Sequence, residues 1–234
     1  MPTIVFASPK GGAGKTTSAF ILATELADRG LRVTVIDADP NHPIAGWVKQ
    51  GGKADNLHVR VNQNEDSILD EIEEAAETAD FVIVDLEGTA SLTVGYAVTA
   101  ADLVIVPSQR SLLDAGEAAK AVKLVKTQSK VTGRTIPVAL LLTRTSLAIR
   151  TKALKRMIIS LGSNNIDSFM TEMNEREAFK AVFDHTSTLS QLKISQVSGL
   201  ERARQNAGEF AAETIRKLKA SQSTKSSRKL EGVA

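Results

Sequence analysis

Glycines, lysines and threonines cluster near the start of the chain, in the run SPKGGAGKTT over residues 8–17. Its three glycines leave the backbone free to curl, so that N–H groups can point at an anion. Lys15 adds a cation that can reach the outer phosphates of a nucleotide, and the Thr16 hydroxyl is a ligand for Mg²⁺. The run therefore indicates a phosphate-binding loop, and we expect nucleotide contacts from Gly11, Gly12, Ala13, Gly14, Lys15, Thr16 and Thr17.

A second lysine makes this loop unusual. The common form, G-x-x-x-x-G-K-[ST], would have a glycine where Pro9 stands. Here Lys10 leads the glycines instead. The alternative is a glycine-rich turn with incidental lysines, but a predicted strand before the loop and a helix beginning at GKT both favour phosphate binding. Lys10 is therefore a second cation at the mouth of a site that Lys15 already serves.

Acidic residues follow two predicted strands. Asp39 lies in the run DADPNHP after the strand at 32–37, and Asp85 ends the apolar run FVIVD. A carboxylate beside phosphates can orient water or hold Mg²⁺. We expect Thr16, Asp39 and Asp85 to form the metal site. The alternative for Asp39 is turn formation before a proline, for which Asp is well suited.

The elements that position these residues alternate between strand and helix. Near-continuous apolar strands separated by helices predict a doubly wound α/β domain, with a mainly parallel sheet and helices on both faces. In such a domain ligands bind beyond the carboxyl ends of strands, where the glycine-rich loop and both acids fall. The predicted strands are 3–8, 32–37, 57–61, 81–85, 103–107, 137–143 and 166–170, and the predicted helices are 16–29, 65–78, 90–100, 114–130, 147–160, 174–183 and 199–219.

The run KGGAGKTT resembles the deviant Walker A motif of the ParA/MinD family of P-loop ATPases, in which the leading lysine is the signature. The resemblance implies ATP and Mg²⁺ as cofactors and a homodimer with the nucleotides sandwiched at its interface. It further implies a catalytic set of Lys10, Lys15 and Asp39, with Lys10 crossing to the partner's nucleotide. Thr143, followed by Arg144, stands where the family contacts adenine. Asp114 matches a residue that opens a helix, and its simplest role is that of an N-cap.

Basic residues concentrate towards the C-terminus. Residues 215–234 carry a net charge of +5, and the rest of the chain carries −3. A polyanionic partner and a merely solubilising tail both fit this asymmetry. The family resemblance implies DNA binding without sequence preference, through basic residues on late helices. The expected contacts are Arg150, Lys152, Lys155, Arg156, Arg202, Arg204, Arg216, Lys217 and Lys219. A row of lysines at 120, 123, 126 and 130 fits a solvated helix face.

The 234 residues suffice for one sizeable domain, and they include no cysteine, which excludes a disulfide framework and a thiolate metal site. We expect a single ATPase domain over 1–220 and a basic, disordered tail over 221–234. The tail has no apolar face, which argues against membrane docking. These features and the resemblance predict a cytoplasmic, nucleoid-associated protein.

Three functions remain open at this stage. The first is an ATPase that dimerises on ATP, binds DNA and segregates or positions a plasmid cargo, with hydrolysis, stimulated by a ParB-like or other cargo adaptor, as the release switch. The second is an accessory ATPase for a DNA-transfer or other protein complex, because EMNEREAFKAVF (172–183) resembles a segment of the accessory ATPases of T-DNA transfer regions. The third is a small-molecule P-loop enzyme, against which the absence of cysteine counts.

Overall fold

A computed structural model describes residues 1–62, 64–88, 91–145 and 166–231. Its strands are β1 (Thr3–Phe6), β2 (Val33–Ala38), β3 (Leu57–Val61), β4 (Phe81–Leu86), β5 (Leu103–Ser108), β6 (Val138–Thr145), β7 (Asp167–Ser168) and β8 (Met173–Asn174). Its helices are α1 (Lys15–Ala27), α2 (Pro43–Lys49), α3 (Ile68–Thr78), α4 (Leu92–Ala100), α5 (Leu112–Val131), α6 (Glu177–Asp184) and α7 (Leu200–Glu231), with a 3₁₀ turn at Glu65–Ser67.

The strands form one parallel sheet in the order β3-β2-β4-β1-β5-β6-β7, and β8 pairs with β6. The chain thus begins in the middle of the sheet and builds outward in both directions, which confirms the doubly wound α/β prediction. The register places Asp85 of β4 beside Phe6 on one side and Asp37 on the other. The carboxyl ends of the three central strands therefore converge on the loop that follows β1.

Two apolar cores cover the two faces of the sheet. One lies under α1, α2, α6 and α7 and is filled by large side chains such as Phe20, Trp47 and Phe210. The other lies under α3, α4 and α5 and is built from aliphatic residues such as Ile68 and Val122. Strands whose side chains are apolar on both faces need this cover, because each buried aliphatic side chain contributes about 1.5–3 kcal/mol.

Some elements differ from the sequence-based expectation. The short helix α2 and the two-residue strand β8 were not predicted, and the predicted helix at 147–160 lies outside the described residues. The prediction that Asp114 is a helix N-cap is wrong. Helix α5 begins at Leu112, and its N-cap is Ser111, whose hydroxyl accepts a hydrogen bond from the Asp114 N–H. Ser and Asp are both good N-caps, so the sequence alone did not separate them.

Helix α7 runs from Leu200 to Glu231 and so continues through residues 221–231, for which disorder was predicted. Between Gly208 and Gly232 the sequence contains neither glycine nor proline, and its serines and threonines each weaken a helix by only a few tenths of a kcal/mol. Nothing in the chain therefore ends this helix earlier. Among the described residues, no helix combines the length and the apolar character that crossing a membrane requires.

Candidate nucleotide site

The loop between β1 and α1 has the backbone shape that an anion site needs. Gly12 and Gly14 have φ values of 73° and 95°, in the region that residues with a side chain rarely adopt. Gly14 is the N-cap of α1, and no side chain caps that helix end. The first turn of α1 contains no acidic residue either. The unpaired N–H groups and the positive end of the helix dipole are therefore available to a phosphate group.

Two side chains from neighbouring strand ends brace this loop. At the end of β6, the Thr143 hydroxyl donates to the Ala13 carbonyl at 2.7 Å. A Cβ on Gly14 would lie only 3.3 Å from the Thr143 side chain, so the packing is close. Just beyond β5, the Gln109 side-chain amide donates to the Gly12 carbonyl at 2.9 Å. Sequence reasoning missed Gln109, although its position directly after a buried strand was a signal.

Lys15 lies inside the loop and faces the acids at the strand ends. Its side chain is buried, and its ammonium donates a long hydrogen bond, 3.5 Å, to the Lys10 carbonyl. Burial lowers the pKa of Lys15, and the nearby carboxylates of Asp85, Asp39 and Glu87 oppose that shift. Lys15 is therefore a partly desolvated cation held where the outer phosphates of a bound nucleotide would lie.

Lys10 points in a different direction from Lys15. Its side chain is 38% exposed, and its ammonium donates to the carboxylate of Asp114, whose side chain is only 3% exposed. The Ser111 hydroxyl donates to the same carboxylate. Burial alone would raise the pKa of Asp114, but the hydrogen bonds from Lys10 and Ser111 outweigh it and leave that pKa below its usual value. Asp114, at the start of α5, is thus the counter-ion of Lys10.

Asp85 at the end of β4 is the best candidate for a metal ligand. Its carboxylate is fully buried, and neither oxygen has a hydrogen-bond partner among the described residues. Burial raises the pKa of Asp85 to about 7; Asp37 adds to that shift, whereas the Thr16 hydroxyl and Lys15 oppose it. Because Thr16 and Lys15 do not offset the cost of burial, a further cation at this carboxylate would favour its ionised form.

Thr16 and Asp85 therefore fit a Mg²⁺ ion. Within the described part of the chain, no group of three or more acidic or histidine side chains could hold a metal unaided. That agrees with the chemistry of Mg²⁺, which commonly takes one or two protein ligands and completes its shell with phosphate oxygens and water.

The two acids after β2 have different surroundings. Asp37 is fully buried and accepts hydrogen bonds from the N–H groups of Ile44 and Ala45, both at 2.9 Å, at the beginning of α2. It therefore fixes a helix that carries the core residue Trp47. Asp39 is half-buried, and its Oδ1 accepts from the Asn41 N–H and side-chain amide at 2.9 and 3.0 Å. The turn predicted at Asp39 is thus present. The negative charge of Asp39 also acts on the Lys15 ammonium and raises the pKa of that group.

The segment after β4 touches the glycine-rich loop directly. A Cβ on Gly88 would lie 3.3 Å from the Gly11 nitrogen and 3.4 Å from the Lys15 ammonium. Gly88, three residues beyond Asp85, therefore packs closely against both the loop backbone and the Lys15 side chain.

A cavity beside the loop is the candidate site for the base. One wall comes from the loop and from the end of β6, and the other comes from residues 173–180. The sequence showed only that this second segment resembles part of the accessory ATPases of T-DNA transfer regions, and it predicted no role in nucleotide binding for it. Arg144 is exposed, with a left-handed φ of 50°. The lining residues include Thr17, Thr143, Arg144, Met173, Arg176 and Phe179. Thr143 and Arg144 therefore lie at this cavity, and adenine as its occupant stays a prediction.

Two of the basic residues expected to bind DNA make contacts within the chain. The Arg204 guanidinium donates to the carbonyls of Leu189, Ser190 and Leu192 at 2.9–3.1 Å. The ammonium of Lys217, with the side chain 15% exposed, donates to Asp167 at 2.8 Å and lies 5.1 Å from the centre of the Phe169 ring. Both side chains hold loops in place, which argues against their use for DNA.

The other predicted DNA contacts fall into two groups. Arg202, Arg216 and Lys219 are exposed on α7. The remaining four, Arg150, Lys152, Lys155 and Arg156, lie outside the described residues. The exposed cations of α7 are therefore the part of the predicted DNA surface that the structure positions.

Comparison with known proteins gives consistent matches. The family model of the VirC1 protein matches residues 1–223. A curated relative, protein ParA of Rhizobium radiobacter, is 36% identical over 93% of this chain and 98% of its own length. Among solved structures, an ATP complex of a McdA variant from Cyanothece has a TM-score of 0.68 at 19% identity, covering 91% of this chain and 96% of its own. MinD of Pyrococcus horikoshii, complexed with Mg-ADP, has a TM-score of 0.68 at 14% identity, covering 91% and 95%.

Proposed function

Because this chain belongs to the VirC1 family, within the ParA/MinD group of ATPases, we propose that it works as an ATP-dependent dimer that binds DNA and moves a DNA cargo. ATP hydrolysis, and a role of the positioning or segregation type, follow from membership of that group. We propose three further properties for this chain: two copies enclose the nucleotide, the dimer binds DNA without sequence preference, and hydrolysis releases it.

The divergent placement of the two loop lysines is the observation that carries the proposal. Lys15 is buried and faces the acids of its own chain, whereas Lys10 is half-exposed at the surface. Leu113, at the beginning of α5 and next to Asp114, the counter-ion of Lys10, exposes 81% of its surface. An exposed apolar residue near an exposed cation suits a surface that a second copy covers. In that arrangement Lys10 would be brought to the nucleotide of the partner.

The residues of one chain then divide the chemistry. Lys15 and the loop N–H groups bind the outer phosphates, and Thr16 and Asp85 hold Mg²⁺, which neutralises charge on the phosphates when bound. Asp39 orients the attacking water at the edge of the site. Lys10 of the second copy stabilises the charge that develops on the transferred phosphoryl group, as an arginine finger does in other enzymes. Each nucleotide would thus be hydrolysed only in the dimer.

DNA binding would depend on the exposed cations of α7, Arg202, Arg216 and Lys219, and on the basic residues between 150 and 156. Phosphate contacts from lysine and arginine are enough for binding without sequence preference. A ParB-like or other cargo adaptor would stimulate hydrolysis and release the dimer from DNA. In a cell this behaviour would give a nucleoid-associated protein.

A mobility-shift experiment on DNA fragments of unrelated sequence tests the proposal. We expect binding with ATP, little with ADP or without nucleotide, and a steep loss of affinity as salt rises. The double substitution Arg216→Ala and Lys219→Ala should weaken binding while ATP hydrolysis persists. Lys49→Ala, which removes an exposed lysine at the end of α2, is the matched control. Binding that ignores both nucleotide and salt would rule the proposal out.

The resemblance of residues 172–183 to a segment of the accessory ATPases of T-DNA transfer regions favours a second candidate, an accessory ATPase that positions a DNA-transfer complex. Both candidates share the dimer and the DNA surface and differ in the cargo. Fluorescent labelling of the protein in cells that carry either a plasmid partition locus or a DNA-transfer locus separates them. Foci that follow the transfer locus and are lost in the Lys15→Ala variant would favour the second candidate.

A further inference from the structure

The layer formed by α3, α4 and α5 has an outer surface divided by charge. Helix α3 exposes an acidic row, and α5 exposes a basic row on the other side of α4. The acidic row is Asp70, Glu73, Glu74 and Glu77, and the basic row is Lys120, Lys123, Lys126 and Lys130. Helix α4 contains no charged residue, and its exposed Tyr96 lies between the two rows. We call this surface the charge-divided face.

Each row brings like charges together along one helix. Spacings of three and four residues place neighbouring charges on the same side of a helix, where like charges repel. Within the described part of the chain, the ion pair from Arg60 to Glu74, at 3.1 Å, is the one that the acidic row makes. In the basic row, Lys120 pairs with Glu117 at 2.8 Å. Lys126 also has a partner within the chain, so the charges that an opposite row would stabilise are mainly Lys123 and Lys130 in the basic row and Asp70, Glu73 and Glu77 in the acidic row.

The two rows are held at a fixed separation. Gly95 of α4 lies against α5, because a Cβ at that position would be 3.4 Å from the Gln128 side chain. The apolar sides of all three helices pack into one core, with Ile72, Val98 and Val122 buried there. The charge-divided face is therefore a rigid surface with one sign of charge on each side of α4.

We propose that the charge-divided face binds the same face of a second copy of this chain. A two-fold axis along α4 places α3 of one copy over α5 of the other, on both sides of the axis. Both rows then meet their opposites at once, and the Tyr96 side chains meet near the axis. A nucleic acid would satisfy only the lysines and would be repelled by the acidic row, so the arrangement favours a second copy.

The size of the face indicates a weak contact. Helix α3 has 11 residues, which gives a length of about 16 Å. Three helices packed about 10 Å apart give a patch of roughly 500 Å² on each copy. About 1,000 Å² in total is at the low end for specific interfaces. The contact should therefore depend on protein concentration and, because it is electrostatic and exposed, on salt. The basic row begins beyond the first turn of α5, where Asp114 contacts Lys10, so the contact would link dimers into larger assemblies.

Sedimentation velocity without nucleotide tests this proposal apart from the ATP-dependent dimer. We expect the wild-type protein to self-associate at low salt and to dissociate as salt rises. Two double variants should stay monomeric, with affinity reduced at least about tenfold. They are Glu73→Lys/Glu77→Lys, which leaves two acidic and two basic residues in the acidic row, and Lys123→Glu/Lys130→Glu, which leaves two basic and two acidic residues in the basic row. Lys49→Glu, on α2 in the opposite layer, is the control for a charge change elsewhere and should associate as the wild type does.

Mixing the two double variants gives the decisive result. The first variant keeps its basic row and the second keeps its acidic row, so the mixture should associate through this one pair of opposite rows, more weakly than the wild type, although neither variant associates alone. Recovery in the mixture also shows that both variants are folded. A monomeric wild type, or a mixture that stays monomeric, overturns the proposal. If the wild type is monomeric and Lys123→Glu/Lys130→Glu instead loses DNA binding, the basic row is a nucleic-acid surface and the proposal is wrong.

Discussion

The ammonium group of Lys10 is bound by the carboxylate of Asp114, a residue 104 positions further along the chain. The contact joins the first residue of the glycine-rich loop to the first turn of α5. It gives Lys10 an intrachain anion in the absence of nucleotide. In the proposed dimer, a phosphate group of the nucleotide bound to a second copy would have to take the place of this carboxylate, so Lys10 would exchange one anion for another.

A double-mutant cycle with Lys10→Ala and Asp114→Asn should show a coupling energy of about 0.5–1 kcal/mol, a modest value because Lys10 is partly exposed. The pKa of Asp114 is lowered in the folded protein. The stability that this group contributes is therefore present at neutral pH and is lost as the pH falls below the ordinary range of an aspartate. Urea unfolding of the four proteins at neutral and at acidic pH measures the coupling. Equal coupling at both pH values would contradict the prediction.

Replacing each loop lysine should give a different defect. Lys10→Ala should keep ATP binding, because Lys15 and the loop N–H groups remain, but should lose at least about tenfold in hydrolysis. Lys15→Ala should lose ATP binding itself. Binding of a fluorescent ATP analogue and steady-state phosphate release separate the two effects. Normal hydrolysis by the Lys10 variant would show that this lysine does not act on the partner's nucleotide.

Asp39→Ala should produce a long-lived ATP-bound dimer. Among the residues that the structure describes, Asn41, within the same turn, is the one hydrogen-bond partner of the Asp39 side chain, so its loss should leave the fold intact and remove the group proposed to orient water. Gel filtration with ATP and Mg²⁺ should show a stable dimer with hydrolysis reduced at least about tenfold. Asn41→Ala removes the turn contact but not the carboxylate, and it should hydrolyse ATP. A monomeric Asp39 variant would contradict the assignment.

Asp85→Asn should stabilise the nucleotide-free protein and abolish Mg²⁺-dependent hydrolysis. The folded-state pKa of Asp85 is raised to about 7, so keeping it ionised costs stability as the pH rises from the ordinary aspartate range to about 7. At pH 8 the variant should gain about 1–3 kcal/mol in the free energy of unfolding, and at pH 5 much less, because the wild-type group is then neutral. Thermal unfolding at both pH values, without nucleotide, measures the difference. A gain independent of pH would point to another cause.

Gly88→Ala should weaken ATP binding severalfold. The added methyl group would lie 3.3 Å from the Gly11 nitrogen and 3.4 Å from the Lys15 ammonium, so the loop or Lys15 must shift by a few tenths of an ångström. Gly116→Ala is the matched control, because it lies in α5 with open space around its Cβ position. That control should bind ATP normally and gain up to about 1 kcal/mol of stability. Calorimetric titration with ATP compares the two variants.

The sequence by itself determined the features that depend on local pattern. Apolar runs separated by helical periods predicted the parallel sheet, because strands buried on both faces must be apolar throughout. The glycine-rich loop was identified from its residue types. The positive φ values of Gly12 and Gly14 give the physical reason, because only glycine adopts them readily. Asp85 was found because the end of a central strand is where ligands bind in such sheets.

The tertiary structure decided which distant residues meet. Gln109 and Thr143 reach the loop only because β5 lies beside β1 and β6 lies beside β5, and no spacing along the chain predicts those contacts. The same is true of Asp114, which the sequence suggested as a helix cap and the structure places against Lys10. Lys217 lies in a basic segment and was therefore predicted to contact DNA, but its ammonium pairs with Asp167. Charge patterns along a chain do not show which cations find a partner within the fold. Pairing across the fold depends on three-dimensional distance, which local sequence does not contain.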